Sequence, residues 1–182
     1  MDLSDRIKRV EFLGAEFITW LWFCEATRGG FFDLGGDLGQ VELVFDDRLT
    51  MSSTAFDEQE DSFKGGRPAT SLEALMALRL GKLARQAKLS ITQGEQEWQL
   101  VLKSAPLMMS AIKLPEITAQ GGHAQFYERM FLLEHLERLY KSIYQQFLEE
   151  RLSERWHDEI LGHINRWVEL GELIEPDDDD QH

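Results

Sequence analysis

The chain has 182 residues, 43% of them hydrophobic and 29% charged, which is the composition of an ordinary globular domain and excludes a disordered or fibrous chain. Its formal net charge of −14 excludes a protein that coats nucleic acid with its whole surface. A single cysteine, Cys24, excludes an intrachain disulfide and points to a reducing cytoplasm.

The N-terminus "MDLSDRIKRVEF" has no apolar run behind its basic residues, so no signal peptide is expected. "DRIKRVEFLGAEFITWLWFCEAT" reads as a helix whose apolar coverage is wide enough for burial on more than one side. Its apolar core, "FITWLWF", falls far short of the ~20 residues a membrane span needs, so no membrane partner is expected. Cys24 lies in that run and reads as a small buried thiol. "RGGFFDLGGDLG" breaks the helix with two Gly-Gly pairs. "QVELVFDDRLTM" alternates, and predicts a strand that turns at Asp46-Asp47 into a second short one. "SSTAFDEQED" reads as an acidic loop or an irregular edge.

"SFKGGRPAT" begins extended and then breaks. Thr70 or Ser71 is the expected cap of a helix over Leu72–Ala84, with Glu73 in its first turn and Leu72, Leu75, Met76, Leu80 and Leu83 as its buried stripe. Ala87, Leu89 and Ile91 alternate, "QGE" turns, and Trp98, Leu100 and Leu102 alternate again, which predicts a β-hairpin. "MSAIKLPEI" reads as a further strand ended by Pro115. From about residue 124 to 151 there is no Gly or Pro, and a long helix is expected. Phe126, Met130, Leu133, Tyr140, Tyr144 and Phe147 form one apolar line on it, and Leu132, Leu136, Leu139 and Ile143 a second. A tight turn at Ser153 leads to a helix carrying Trp156, Ile160, Ile164 and Trp167, antiparallel to the first. A helix apolar on two sides needs two partners, so a homo-oligomer is expected. "EPDDDDQH" reads as a disordered acidic tail.

Charge is unevenly placed. Residues 1–63 hold five Lys/Arg against fourteen Asp/Glu, and residues 114–182 six against sixteen; residues 64–113 hold eight against three. From Lys64 to Lys88 there are six cations, Lys64, Arg67, Arg79, Lys82, Arg85 and Lys88, and one acid, Glu73. With Lys113 they make the one segment chemically suited to phosphate. Arg79 and Lys82, three apart, are expected on one helix face.

Catalytic spacings do not appear. "FKGGRPATS" lacks the phosphate-loop pattern, and Gly81-Lys82 is followed by Leu. His157 and His163 are six apart, on different helix faces, and His135 stands alone, so neither a metal nor another cofactor is expected. Cys24 has no adjacent His and no G-x-S-x-G elbow is present. An enzyme is not expected.

"EFITWL", "LVFDDRL" and "FKGGRPATSLEALMALRLGKLARQAKLSITQGEQEWQLVLKSAPLMMSAIKLPE", spanning roughly residues 11 to 117, resemble the C-terminal half of the recombination-associated protein RdgC family. "FYERMFLLEHLERLYKSIYQQFLEERLSERW" is similar to the helical extension of longer members. The resemblance implies a non-enzymatic accessory of recombination that binds duplex DNA without sequence preference. It further implies a dimer that closes a ring around the duplex, and a cytoplasmic, nucleoid-associated location. Arg79, Lys82, Lys88 and Lys113 are the residues it implies for DNA contact, and a companion chain supplying the family's other half is an implied partner. The alternative is an acidic interaction module that docks a protein partner or mimics DNA.

The expected fold is α+β: a small antiparallel sheet with packed helices over residues 1–120, a C-terminal antiparallel helical hairpin over 121–175, and a tail from 176 to 182.

Overall fold

The computed structural model describes residues 3–53, 60–64 and 71–170. Arg67, the alternative cap Thr70 and the acidic tail lie outside the described residues, as does the end of the expected hairpin range. The elements run in the order α1 (Leu3–Arg28), β1 (Phe31–Asp33), β2 (Gln40–Ser53), β3 (Glu60–Lys64), α2 (Leu72–Arg79), β4 (Lys82–Gln93), β5 (Gln96–Ser104), β6 (Leu107–Lys113), α3 (Gly122–Leu152), a π-helical turn (Trp156–Ile160) and α4 (Leu161–Leu170). The architecture is α+β, with the expected small antiparallel sheet and C-terminal helical hairpin.

Among the described residues the sheet has six strands, in the order β1-β2-β4-β5-β6, every neighbouring pair antiparallel. β3 shares an edge of β2 with β1: β1 pairs with Gln40–Glu42 and β3 with Arg48–Ser52. Alternation sends Val41, Leu43, Phe45, Leu49 and Met51 of β2, and Trp98, Leu100 and Leu102 of β5, to one face, where all are buried. The predicted hairpin is β4–β5, in register from Gln86↔Lys103 to Gln93↔Gln96.

α1 lies on that face. Phe17, Ile18, Trp20, Leu21, Trp22 and Cys24 are each 0–1% exposed, so this stretch of the helix is buried on more than one side, as its broad apolar coverage predicts. Gly14 permits the approach to the sheet. A Cβ there would sit 2.1 Å from the backbone oxygen of Ser104. On the side away from the sheet, Phe17 meets Tyr144 edge-on at 4.9 Å and Phe147 at 5.2 Å. Polar ties fix this packing: Trp20 Nε1 donates to Glu150 Oε2 at 2.8 Å, and Arg151 Nε to Glu16 Oε2 at 2.9 Å.

The hairpin's buried side chains belong to the same core as the sheet and α1. On α3 the second apolar line is the buried one: Leu132, Leu136, Leu139 and Ile143, continued by Phe147. Tyr140 and Tyr144 are half-buried, while Phe126, Met130 and Leu133 of the first line are exposed. The Ser153 hydroxyl donates to the Glu150 carbonyl at 2.7 Å where the chain turns. Trp156, Ile160, Ile164 and Trp167 are buried, as their spacing predicts. Trp167 stands edge-on to Trp22 at 5.2 Å, which presses the second arm onto α1.

Three local expectations need correction. β2 does not turn at Asp46-Asp47; it continues, and the five residues Phe45 to Leu49 stand against only three on β4, Leu89 to Ala87. The two surplus residues bulge out, so both apolar ends still face the core. α2 ends at Arg79, because Gly81 adopts φ +80° and directs Lys82 and Leu83 into β4. The buried stripe of α2 is then Ala74, Leu75 and Ala77, with Leu72, Met76 and Leu80 left exposed. Ser71 is its cap, accepting from the Ala74 amide at 3.3 Å.

Gly14→Ala is expected to destabilise the protein by about 1–3 kcal/mol, because the methyl group meets backbone that cannot rotate away. A urea midpoint equal to the parent's would show that α1 does not sit this close to β5. Cys24 is buried, and burial pushes its thiol up to about 12. A thiol-specific reagent at pH 8 should leave the native protein unlabelled and label it fully once denatured.

Candidate nucleic-acid interface

The helices take one face of the sheet. The other face carries the alternate residues of each strand, which are mostly polar and mostly part-exposed, with Val44 and Val101 among them. Cross-strand register orders them in rows: Glu42–Thr92–Glu97, Val44–Ser90–Gln99, and Thr50–Gln86–Lys103. No helix among the described residues covers them.

One end of this face is basic. Arg48 and Lys64 stand directly opposite each other on β2 and β3, both exposed. Leu49, beside Arg48, is buried, and Phe63, beside Lys64, packs on the core, so both cations point to the open side. Lys103 is exposed on β5, in register with Gln86. Arg85 joins them through a second irregularity. Thr50 pairs with Gln86 and Met51 with Ala84, so Arg85 has no opposite residue and is turned outward. Its Nε donates to Ser52 Oγ at 2.9 Å. A hollow of about 420 Å³ lies here, lined by Thr50, Ser52, Arg85, Gln86 and Lys103 among others. Arg48, Lys64, Arg85 and Lys103 form no ion pair with an acid among the described residues. Guanidinium, ammonium, hydroxyl and amide groups around one concavity are a donor-rich set suited to phosphate oxygens.

The rest of the predicted basic set is distributed differently. Lys88 is on the open face but held between Asp46 Oδ2 at 2.7 Å and Asp47 Oδ1 at 3.0 Å, both from the β2 bulge. These hydrogen bonds push the Lys88 ammonium up, and the one from Lys88 holds the Asp46 carboxyl below its ordinary value. Lys113 is exposed at the far end, beside a hollow of about 260 Å³ that Glu95, Glu97 and Glu116 also line. Arg79 and Lys82 do not share a helix face. Arg79 is on α2, where its Nε donates to the Val168 carbonyl of α4. Lys82 opens β4 and pairs with Asp61 of β3. The turn at Gly81 separates them, and both charges are spent on internal contacts.

Arg48 and Lys103 are the members of this cluster that sequence reading missed. Lys103 follows the alternation of Trp98, Leu100 and Leu102 and is readable as outward-facing. The position of Arg48 depends on the pairing of β2 with β3, for which no local signal exists. His135 is committed to packing: its Nε2 is 2.6 Å from Gln93 Oε1, and its ring stacks on Phe131.

No family model, no curated protein and no solved structure matches this chain.

The Asp46–Lys88 contact stabilises the ionised carboxyl. Its contribution is present above the ordinary carboxyl pKa of 3.8 and is lost as pH falls through the lower value of the folded state. Carboxyl-resolved NMR should therefore place the Asp46 midpoint below 3.8, and Lys88→Met should move it back up. An unchanged midpoint in the variant would show that Lys88 is not the cause.

Proposed function

We propose that this protein is a non-enzymatic binder of duplex nucleic acid, and that it contacts the phosphate backbone through the basic end of the open sheet face. The observation that carries the reading is that Arg85 and Lys103 line one concavity while Arg48 and Lys64 stand paired across β2 and β3 on the same face, with no acid paired to any of the four among the described residues. Phosphate contact there needs no base-specific geometry, since counterion release supplies sequence-independent affinity. Two of these four belong to the basic segment expected to meet phosphate, Lys64 and Arg85. The role as an RdgC-like accessory of DNA recombination rests on the quoted sequence patterns, and the open basic face is compatible with it. The net charge of −14 opposes tight binding, so an affinity in the weak non-specific range, about 10⁻⁴ to 10⁻⁶ M at physiological salt, is expected.

A second reading, an acidic module that docks a protein, is favoured by a different observation. Phe126, Tyr127, Met130 and Phe131 are all half or more exposed on α3. That surface is apolar, so binding through it is insensitive to salt, whereas phosphate contact weakens steeply.

Duplex titration at low salt separates the readings. The parent should bind, with a log–log salt slope of about −3 to −4 for about four phosphates neutralised. Arg48→Glu with Lys103→Glu should abolish binding, and Arg79→Glu with Lys82→Glu should leave it within about twofold, because those two side chains face away from the open sheet. Binding lost in the second pair but kept in the first would move the interface to α2. No binding by the parent would leave the docking reading.

A further inference from the structure

Four exposed apolar residues near the start of α3 are placed at symmetric positions in the stretch "FYERMF", Phe126 to Phe131: Phe at each end, and a second large side chain, Tyr127 or Met130, one position in from each. At 100° per residue these four side chains fall within one arc, opposite the arc of Leu132, Leu136, Leu139 and Ile143 that enters the core. They are 50–69% exposed. His123 and Glu134 lie on the same arc, one turn beyond each end, and both are exposed.

We infer that this face of α3 pairs with the same face of a second copy, the two helices antiparallel about a two-fold axis midway between positions 128 and 129. Under that operation Phe126 of each copy meets Phe131 of the other, and Tyr127 meets Met130. His123 of each copy comes opposite Glu134 of the other, an imidazole N–H donor against a carboxylate. A two-fold interface requires this self-complementarity, in which residue i meets j and j meets i. A parallel pairing would set Glu134 against Glu134.

The area fits a weak, reversible dimer. Four large side chains at these exposures present about 500 Å² of surface per copy, so the pair buries about 1,000 Å², near the lower bound of specific interfaces. The surface is also held in place. Glu128, on the flank, accepts from the Thr118 amide at 3.1 Å and the Ala119 amide at 2.8 Å, tying the preceding loop to the first turns of α3. Little ordering cost then remains for association. The pairing is independent of phosphate binding, because the open sheet face and the outer side of α3 are different surfaces.

Sedimentation velocity of the full chain from about 1 to 100 µM should show a weight-average coefficient that rises from monomer toward dimer. Tyr127→Asp with Phe131→Asp, both exposed in the monomer, should hold it at the monomer value throughout. A parent that stays monomeric overturns the inference, as does a double variant that dimerises like the parent. Orientation is read by disulfide capture, since the native Cys24 is buried. A mixture of His123→Cys and Glu134→Cys proteins should cross-link between the two variants. Cross-linking within either variant alone would overturn the antiparallel arrangement.

Discussion

The enclosure of α1 is the constraint on which the rest of the structure depends. An antiparallel sheet with one apolar face must bury that face, and here a single helix lies on it, buried on more than one side from Phe17 to Cys24. Because that stretch of α1 is apolar on its outer side too, it must be covered in turn, and α3, α4 and their aromatic side chains do this. Phe17, Trp20 and Trp22 each touch rings from the C-terminal hairpin. The close seat at Gly14 against Ser104 sets the depth at which α1 lies, and the Trp20–Glu150 and Arg151–Glu16 contacts lock α3 over it. Sheet, central helix and hairpin therefore share one core, and removing either outer layer would expose the same helix.

This layering determines what is available for binding. Among the described residues all helical cover goes to one side of the sheet, which leaves the other, mostly polar side open. Two bulges then decide which charges that surface presents. The β2 bulge brings Asp46 and Asp47 to Lys88 and neutralises it. The β4 irregularity turns Arg85 outward beside Thr50 and Ser52. Basic residues contiguous in sequence are thus divided: Arg79 caps α4, Lys82 pairs with Asp61, and Lys64 and Arg85 reach the open face, where Arg48 and Lys103 join them.

The same layering explains the outward surface of α3. At about 1.5 Å per residue the helix is ~46 Å long. Its buried residues begin at Leu132, so the core does not take up the side chains of its first turns. Exposed aromatics there gain nothing from the monomer's core. Burying them requires a second surface.

What the sequence by itself determined is what depends on local pattern. Period-two alternation at Ala87–Ile91 and Trp98–Leu102 specifies a hairpin, because a strand has only two faces and one of these must be apolar. The wide apolar coverage of α1 specifies burial on more than one side. The Trp156–Trp167 spacing specifies a buried stripe, and together these features define an α+β chain ending in a helical hairpin. Tertiary structure decided whatever depends on partners distant in sequence. Two apolar lines on α3 are equivalent as pattern; only the position of α1 selects Leu132–Ile143 for the core and leaves Phe126 and Met130 outside. Continuation of β2 through Asp46-Asp47 follows from pairing with β4, since a ladder holds polar bulge residues that alone would turn. Arg79 and Lys82 share a face only if the helix passes Gly81, and the left-handed backbone there, with Lys82 drawn into β4, prevents it. The basic end of the open face exists because β2, β3, β4 and β5 lie side by side, and proximity across strands is not encoded in the order of charges along the chain.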